Sequence, residues 1–257
     1  MTDDRNAVVT GASKGIGLAM TEALRDAGYQ VVAGARTISA ELRDITPFAV
    51  PVDLGTPGGP ASLIDTALAE LGGIDLLVNN VAGTTGPHPG GFLSVSDHDW
   101  QHALDLTLLS AVRASRAALP SLLDRSGHII NIGSVNARRP APHLVDIAAA
   151  KAALATLGKA LAEEFGPRGV RVNTISPGPV RTGVWTAPGS TGDLLATRAG
   201  ISREQLLERL PATSGMSTGR ITEPAEIAAL VVFLASGKAP NINGSDLVID
   251  GGLRKEL

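Results

Sequence analysis

The sequence predicts an α/β protein: a doubly wound parallel sheet of about seven strands with helices on both faces. Three observations carry the prediction. Short apolar runs alternate with longer helical stretches, the first strand opens through a glycine-rich turn into a helix, and no internal repeat or linker-like segment divides the 257 residues. Alternation of this kind demands crossover connections, which make neighbouring strands parallel and put helices on both sides of them.

Taken in order, the strands fall at Val8-Val9, Val31-Val32, 48–52, 74–78, 128–132, 170–175 and 247–249. Runs this short and apolar suit strands buried on both faces. Between them lie helical patterns at 16–27, 61–71, 100–119, 148–165 and 225–235. One long irregular stretch remains, from Pro177 to Gly219, rich in Gly, Pro, Ser and Thr. Within it, Ser202 and Gln205 form a capping box that opens a short helix, expected to end near Pro211. Loops of this length in compact domains are usually functional, so residues 181–218 are expected to form a lid over a substrate site. Residues 1–257 read as a single domain.

Composition removes several functions. The net charge is −3 and no long basic run is present, so nucleic acid is not an expected partner. The chain has no cysteine, which excludes disulfides, thiolate catalysis and cysteine-ligated zinc. Residues 1–5 are polar and lead straight into a strand, unlike a secretory signal. No apolar run reaches the roughly 18 residues that a membrane span needs. A cytoplasmic protein without a membrane partner is the expectation.

The first strand, Ala7-Val8-Val9-Thr10, runs into Gly11-Ala12-Ser13-Lys14-Gly15-Ile16-Gly17 and then a helix. Gly11 allows the tight turn, while Gly15 and Gly17 let backbone approach a pyrophosphate and let helix pack on strand. The helix N-terminus supplies amide N–H groups and partial positive charge. This is the context of a dinucleotide site in a Rossmann-type fold. The second strand ends in Ala35 and Arg36. Sites for NAD place a carboxylate here for the ribose 2′-hydroxyl. Ala35 omits it, and the Arg36 guanidinium has the fork geometry for a 2′-phosphate. Lys14 adds a second cation in the glycine turn. NADP(H) is therefore the expected cofactor; the competing reading makes both cations solvated surface groups.

Further motifs follow. Asp53 and Leu54 follow the third strand; Asn79-Asn80-Val81-Ala82-Gly83 follows the fourth; Ile130-Asn131-Ile132-Gly133-Ser134 closes the fifth. Arg171-Val172-Asn173-Thr174-Ile175-Ser176-Pro177-Gly178 follows, with Val180 and Thr182 beyond it, then Gly219-Arg220, Pro224-Ala225-Glu226 and Asp250-Gly251-Gly252. With the glycine turn, these resemble the short-chain dehydrogenase/reductase family from residue 10 to residue 252. The resemblance implies that Gly11, Ser13, Lys14, Gly15, Ile16, Gly17, Arg36, Asp53, Leu54, Asn80, Val81, Ala82, Lys151, Pro177, Gly178, Val180 and Thr182 line the cofactor. Asp53 would hold the adenine and Lys151 the nicotinamide ribose. It also implies a homotetramer or homodimer packed through the apolar segment 246–252.

The family reduces carbonyls or oxidises alcohols with a Ser, Tyr, Lys and Asn set. Ser134 and Lys151 match, but four residues before Lys151 stands Ile147 instead of tyrosine, and the asparagine position holds Thr107. The family's usual spacing from the serine also falls on 147. The only tyrosine, Tyr29, lies at the end of the first helix, far along the chain from the motif. Isoleucine has no proton to give, and a positioned general acid is worth about 10²–10⁴-fold in rate. Asp146 and His143 are the candidate replacements; the alternative for Asp146 is a cap or first-turn acid. His98 and His102 stand one helical turn apart without a third ligand, so no metal site is expected. Trp185 could stack on a flat substrate or pack the lid down. Arg138 and Arg139 read as solvated cations rather than anion ligands. The expected function is atypical, NADPH-dependent reduction of a carbonyl or conjugated small molecule. A non-catalytic NADPH-binding module and non-redox chemistry in the same pocket are the alternatives.

Overall fold

Residues 5–83, 86–88 and 90–256 are described by the computed structural model. Seven strands, β1 (Arg5–Thr10), β2 (Tyr29–Ala35), β3 (Ala49–Pro51), β4 (Leu76–Asn79), β5 (His128–Ile132), β6 (Arg171–Pro177) and β7 (Asp246–Ile249), form one sheet in the order β3-β2-β1-β4-β5-β6-β7. Every pairing is parallel. Successive strand residues point to opposite faces. Val9 joins one apolar cluster with Met20, Leu24, Ile227 and Val231, and Val8 joins the other with Leu63, Ile64, Leu122 and Ala162. Burial on both faces is why the strands read as unbroken apolar runs.

The first cluster is closed by α1 (Gly15–Asp26) and a late helix, Pro224–Ala235; the second by α3 (Gly59–Leu71) and two longer helices further along the chain. A short helix, α2 (Ala40–Ile45), precedes β3, with Ser39 Oγ accepting from Leu42 N at 3.2 Å. Six residues are too few to show a helical period in the sequence. The chain moves outward from β1 to β3 and then returns to lay β4 against the other side of β1. In open α/β sheets such a reversal leaves a crevice at the carboxyl ends of the strands, where ligands bind.

Three expectations need correction. The helix expected at 100–119 is two helices, α4 (Asp97–Leu104) and α5 (Ser110–Asp124), joined by a π turn over Asp105–Leu109. α5 carries Pro120 and continues because Leu122, beyond it, is fully buried. The next helix, α6 (Val145–Phe165), starts three residues before 148, so Asp146 and Ile147 lie in its first turn. The stretch from Pro177 to Gly219 is not irregular. It holds α7 (Gly183–Thr186), α8 (Thr191–Ala199) and α9 (Arg203–Ser214). The Ser202–Gln205 capping box forms as expected, but α9 passes through Pro211 to Ser214. A proline removes one N–H and so one helical bond, and a single lost bond near a helix end does not stop the helix. Pro224–Ala235 is α10.

Candidate active site

The glycine turn is held by β4. Thr10 Oγ1 donates to Val78 O at 3.2 Å and accepts from Asn80 N at 2.9 Å and Val81 N at 3.1 Å. Asn80 Nδ2 donates in turn to Thr10 O and Gly11 O. Gly11 has φ +69°, and a Cβ on Gly17 would lie 2.1 Å from Gly11 O. No other residue fits at 17, so helix α1 closes directly on the turn. α1 has no side-chain cap at Lys14, which leaves its first amides for a ligand. Such a cradle fits a pyrophosphate. Ser13, Gly15 and Ile16 are half-buried along it, and Gly15 meets the Thr182 side chain from the far end of β6.

Arg36 and Lys14 are both exposed and form no ion pair among the described residues. Arg36 and Arg43 line an open cavity of about 620 Å³ beside β3. Asp53 is exposed, with Oδ1 accepting from Gly55 N at 2.9 Å, and Leu54 beneath it is buried. Val81 is half-buried and Ala82 exposed on the way out of β4. Pro177 ends β6; Gly178 N donates to Ile249 O; Val180 bridges to Thr222; and Thr182 starts α7. All these residues stand at the carboxyl ends of β1, β2, β3, β4 and β6, around the crevice.

The reacting side is built from β5 and α6. Ser134 is half-buried just past β5, its Oγ accepting from Asn136 N at 3.1 Å; its O–H remains a donor. Lys151 is buried and donates from Nζ to Ile132 O, which fixes it beside that serine's strand. Burial holds its pKa down to about 8, so at neutral pH it is a cation in a poorly solvated place. Ile147 is half-buried one helical turn before it, and residues so spaced share a helix face. Thr107, in the π turn, is buried and accepts from Gly83 N at 3.3 Å. Insertions of this type cluster at functional sites.

Asp146 is a first-turn acid of α6, as the alternative reading has it, but a buried one. It has no exposure, and its Oδ2 lies 3.2 Å from His88 Nε2. Its partner His88 is not among the sequence candidates; it stands 58 positions away in a Gly- and Pro-rich loop, with no periodic pattern to give it away. His143 meets the same loop through its carbonyl, which accepts from His88 N at 2.8 Å.

Other candidates fall outside the crevice or serve packing. Tyr29 is at the start of β2, the opposite end of the sheet, where its hydroxyl donates to Ala235 O. His98 and His102 stack with centroids 6.3 Å apart, and among the described residues no group of three His, Cys, Asp or Glu could hold a metal. Arg138 and Arg139 are exposed, as expected of surface cations; Arg138 pairs with Asp246 at 2.8 Å, and Arg139 donates to Leu253 O at 2.9 Å. Trp185 is half-buried in α7. Among the described residues no helix is long and apolar enough to cross a membrane.

A family model described as enoyl-(acyl carrier protein) reductase matches residues 11–254. The chain is 33% identical to a 3beta-hydroxysteroid dehydrogenase of Eggerthella lenta, over 98% of this chain and 96% of that one. Among solved structures, an L-sorbose reductase from Gluconobacter frateurii, complexed with NADPH and L-sorbose, superimposes with a TM-score of 0.90 at 32% identity, covering 99% of this chain and 98% of that one. An NADPH-bound short-chain oxidoreductase from Pseudomonas aeruginosa, described as containing an atypical catalytic center, gives 0.85 at 33% identity, covering 98% of each chain.

Proposed function

The chain belongs to the short-chain dehydrogenase/reductase family of oxidoreductases, and on that premise we propose that it is an NADPH-dependent reductase of a carbonyl or conjugated small molecule that works without the family's tyrosine. The observation that carries this reading is a complete dinucleotide cradle beside a reacting side that keeps Ser134 and Lys151 but has Ile147 one turn away. The cradle has the chemistry the cofactor needs: capless α1 amides for the pyrophosphate, Arg36 and Lys14 for a 2′-phosphate, Asp53 for the adenine. The NADPH-bound relatives support the same choice.

When bound, the dihydronicotinamide supplies hydride. Lys151 would hold the ribose hydroxyls, and its buried charge would stabilise negative charge developing on the substrate oxygen. Ser134 donates its O–H to that oxygen and sets its direction. α7, α8 and α9 cover the substrate. The test is NADPH oxidation with phenanthrenequinone, cyclohexanone and cyclohexenone, alongside NADPH binding by calorimetry. Reduction of at least one is expected; binding with no turnover across the three and their analogues would overturn the reading.

One observation favours a second reading, a module that binds NADPH without turnover. Thr107 is buried with its oxygen engaged by Gly83 N, so the place of the relay asparagine does structural work. Assembly as a homotetramer or homodimer is part of the proposal. Val248 on the edge strand β7 and Phe233 on α10 are large apolar residues at 39% and 42% exposure, a surface that a second copy would cover. A monomer in light scattering at micromolar concentration would remove that part.

A further inference from the structure

Asp146 presents a carboxylate with no solvent exposure, and among the described residues His88 is its one side-chain partner. The second oxygen, Oδ1, makes no hydrogen bond among them. Burying a carboxylate costs several kcal/mol unless it is paired. Placement in the first turn of α6 offsets only about 0.3–1 kcal/mol of that through the helix dipole. An exposed aspartate would serve the helix as well, so helix stability does not account for this one.

A carboxylate can only accept hydrogen bonds, so Nε2 of His88 is the nitrogen that keeps its proton in either charge state of the ring, and Nδ1 is the one left to take up or release a second. Among the described residues the one ring contact is this one, through Nε2. The loop that carries the ring is tied down at two points: the backbone N–H of His88 donates to His143 O at 2.8 Å, and the backbone N–H of Gly83, at the start of the same loop, donates to Thr107 Oγ1 at 3.3 Å. The imidazole thus packs against the residue that precedes Ile147, where the π turn, the loop after β4 and the first turn of α6 meet.

We propose that His88, oriented by Asp146, is the group that exchanges the proton in this site. The proposal rests on the reductase reading above. As the carbonyl carbon takes hydride from the dihydronicotinamide, the C=O π pair takes a proton from Nδ1 of the imidazolium. The O–H bond forms as the N–H bond breaks; the carbonyl is reduced, the nicotinamide oxidised, and His88 is left neutral until water restores its proton. Asp146 keeps its charge throughout and is a positioning residue.

The test compares native protein with His88→Asn, His88→Ala and Asp146→Asn, using whichever of the three carbonyl probes native protein reduces fastest. His88→Asn should lower kcat by about 10²–10⁴-fold, the worth of a positioned acid, with KM and the calorimetric NADPH affinity nearly unchanged. Free imidazole should restore part of the kcat of His88→Ala. Nitrogen NMR of the cofactor-free native protein should show His88 protonated at Nε2, and Asp146→Asn should mix its tautomers. If His88→Asn fails to fold because Asp146 is left unpaired, the double variant His88→Asn/Asp146→Asn removes that charge and is held to the same kcat criterion. A pair that merely latches the loop would raise KM, lower Tm and show no imidazole rescue, which overturns the proposal. Native protein that reduces a probe while His88→Asn keeps its kcat overturns the proposal alone. Native protein that binds NADPH and reduces nothing overturns the reductase reading and this proposal together.

Discussion

The two walls of the crevice are specified in different ways. On the β1 side, backbone decides: the contact between Gly17 and Gly11 O leaves no room for a Cβ, and Asn80 stitches the turn to β4. On the α6 side, side-chain chemistry decides, through Ser134, Lys151, Ile147 and the His88–Asp146 pair. The first wall tolerates almost no substitution without losing its shape. The second can exchange its reacting groups while the helix that carries them stays put.

The sharpest way to break this contrast is Ile147→Tyr with Thr107→Asn. If the α6 wall is a frame still set for the family reaction but lacks an acid, kcat should rise by about 10²–10⁴-fold; if His88 already delivers the proton, the rise should be far smaller in this background and reach that size only with His88→Asn added. A rise from a measurable native rate supports the reductase reading, whereas a rise from nothing supports the binding module. Gly17→Ala attacks the other wall: overpacking of this kind costs about 1–3 kcal/mol and sometimes more. NADPH affinity by calorimetry and Tm should fall together. Unchanged affinity would mean that the turn yields where the geometry says it cannot.

Ala35→Asp with Arg36→Ser tests the chemistry added to the backbone cradle. Each charge-assisted bond to a 2′-phosphate contributes about 1.5–3 kcal/mol, and 1.4 kcal/mol is tenfold. Native protein should prefer NADPH to NADH by at least about tenfold, and the variant should reverse the order. Equal native affinities would place Arg36 in solvent. The smallest effect lies away from both walls. His128, at the foot of β5, is buried with Asn173 Nδ2 2.9 Å from its Nε2, and burial together with Arg171 pushes its pKa down to about 3. The unfolded chain binds a proton near pH 6.5 and the folded chain does not, so stability falls as pH drops from about 6.5 toward 3, by up to about 1.4 kcal/mol per unit. Urea unfolding at neutral and mildly acid pH should show that slope in native protein and a flatter one in His128→Gln.

How far the sequence can be read follows the same division. The cradle was legible because glycine spacing is a local record of backbone sterics, and the strands were legible because burial on both faces leaves unbroken apolar runs. The ends of α5 and α9 were misjudged because Pro120 and Pro211 are tolerated where one missing bond is outweighed by packing and capping. α8 was missed although Ser190 accepts from Asp193 N at its start, since a nine-residue helix offers little period to detect. His88 was invisible for a different reason. Its meaning lies wholly in a contact with Asp146, and a pair brought together by tertiary folding leaves no trace in spacing.

Trp185 sits in α7, its backbone N donating to Thr182 O, while the other tryptophan, Trp100, lies in α4. With two indoles and a single tyrosine, the protein carries its own optical reporter. In a Trp100→Phe background, the near-ultraviolet emission comes from one fluorophore in α7, just past the end of β6. Reduced nicotinamide absorbs in the band where indole emits, so cofactor capture would appear as energy transfer and the covering of the site as a change in its yield. The arrival of cofactor and any change around α7 would thus be two readings of one signal.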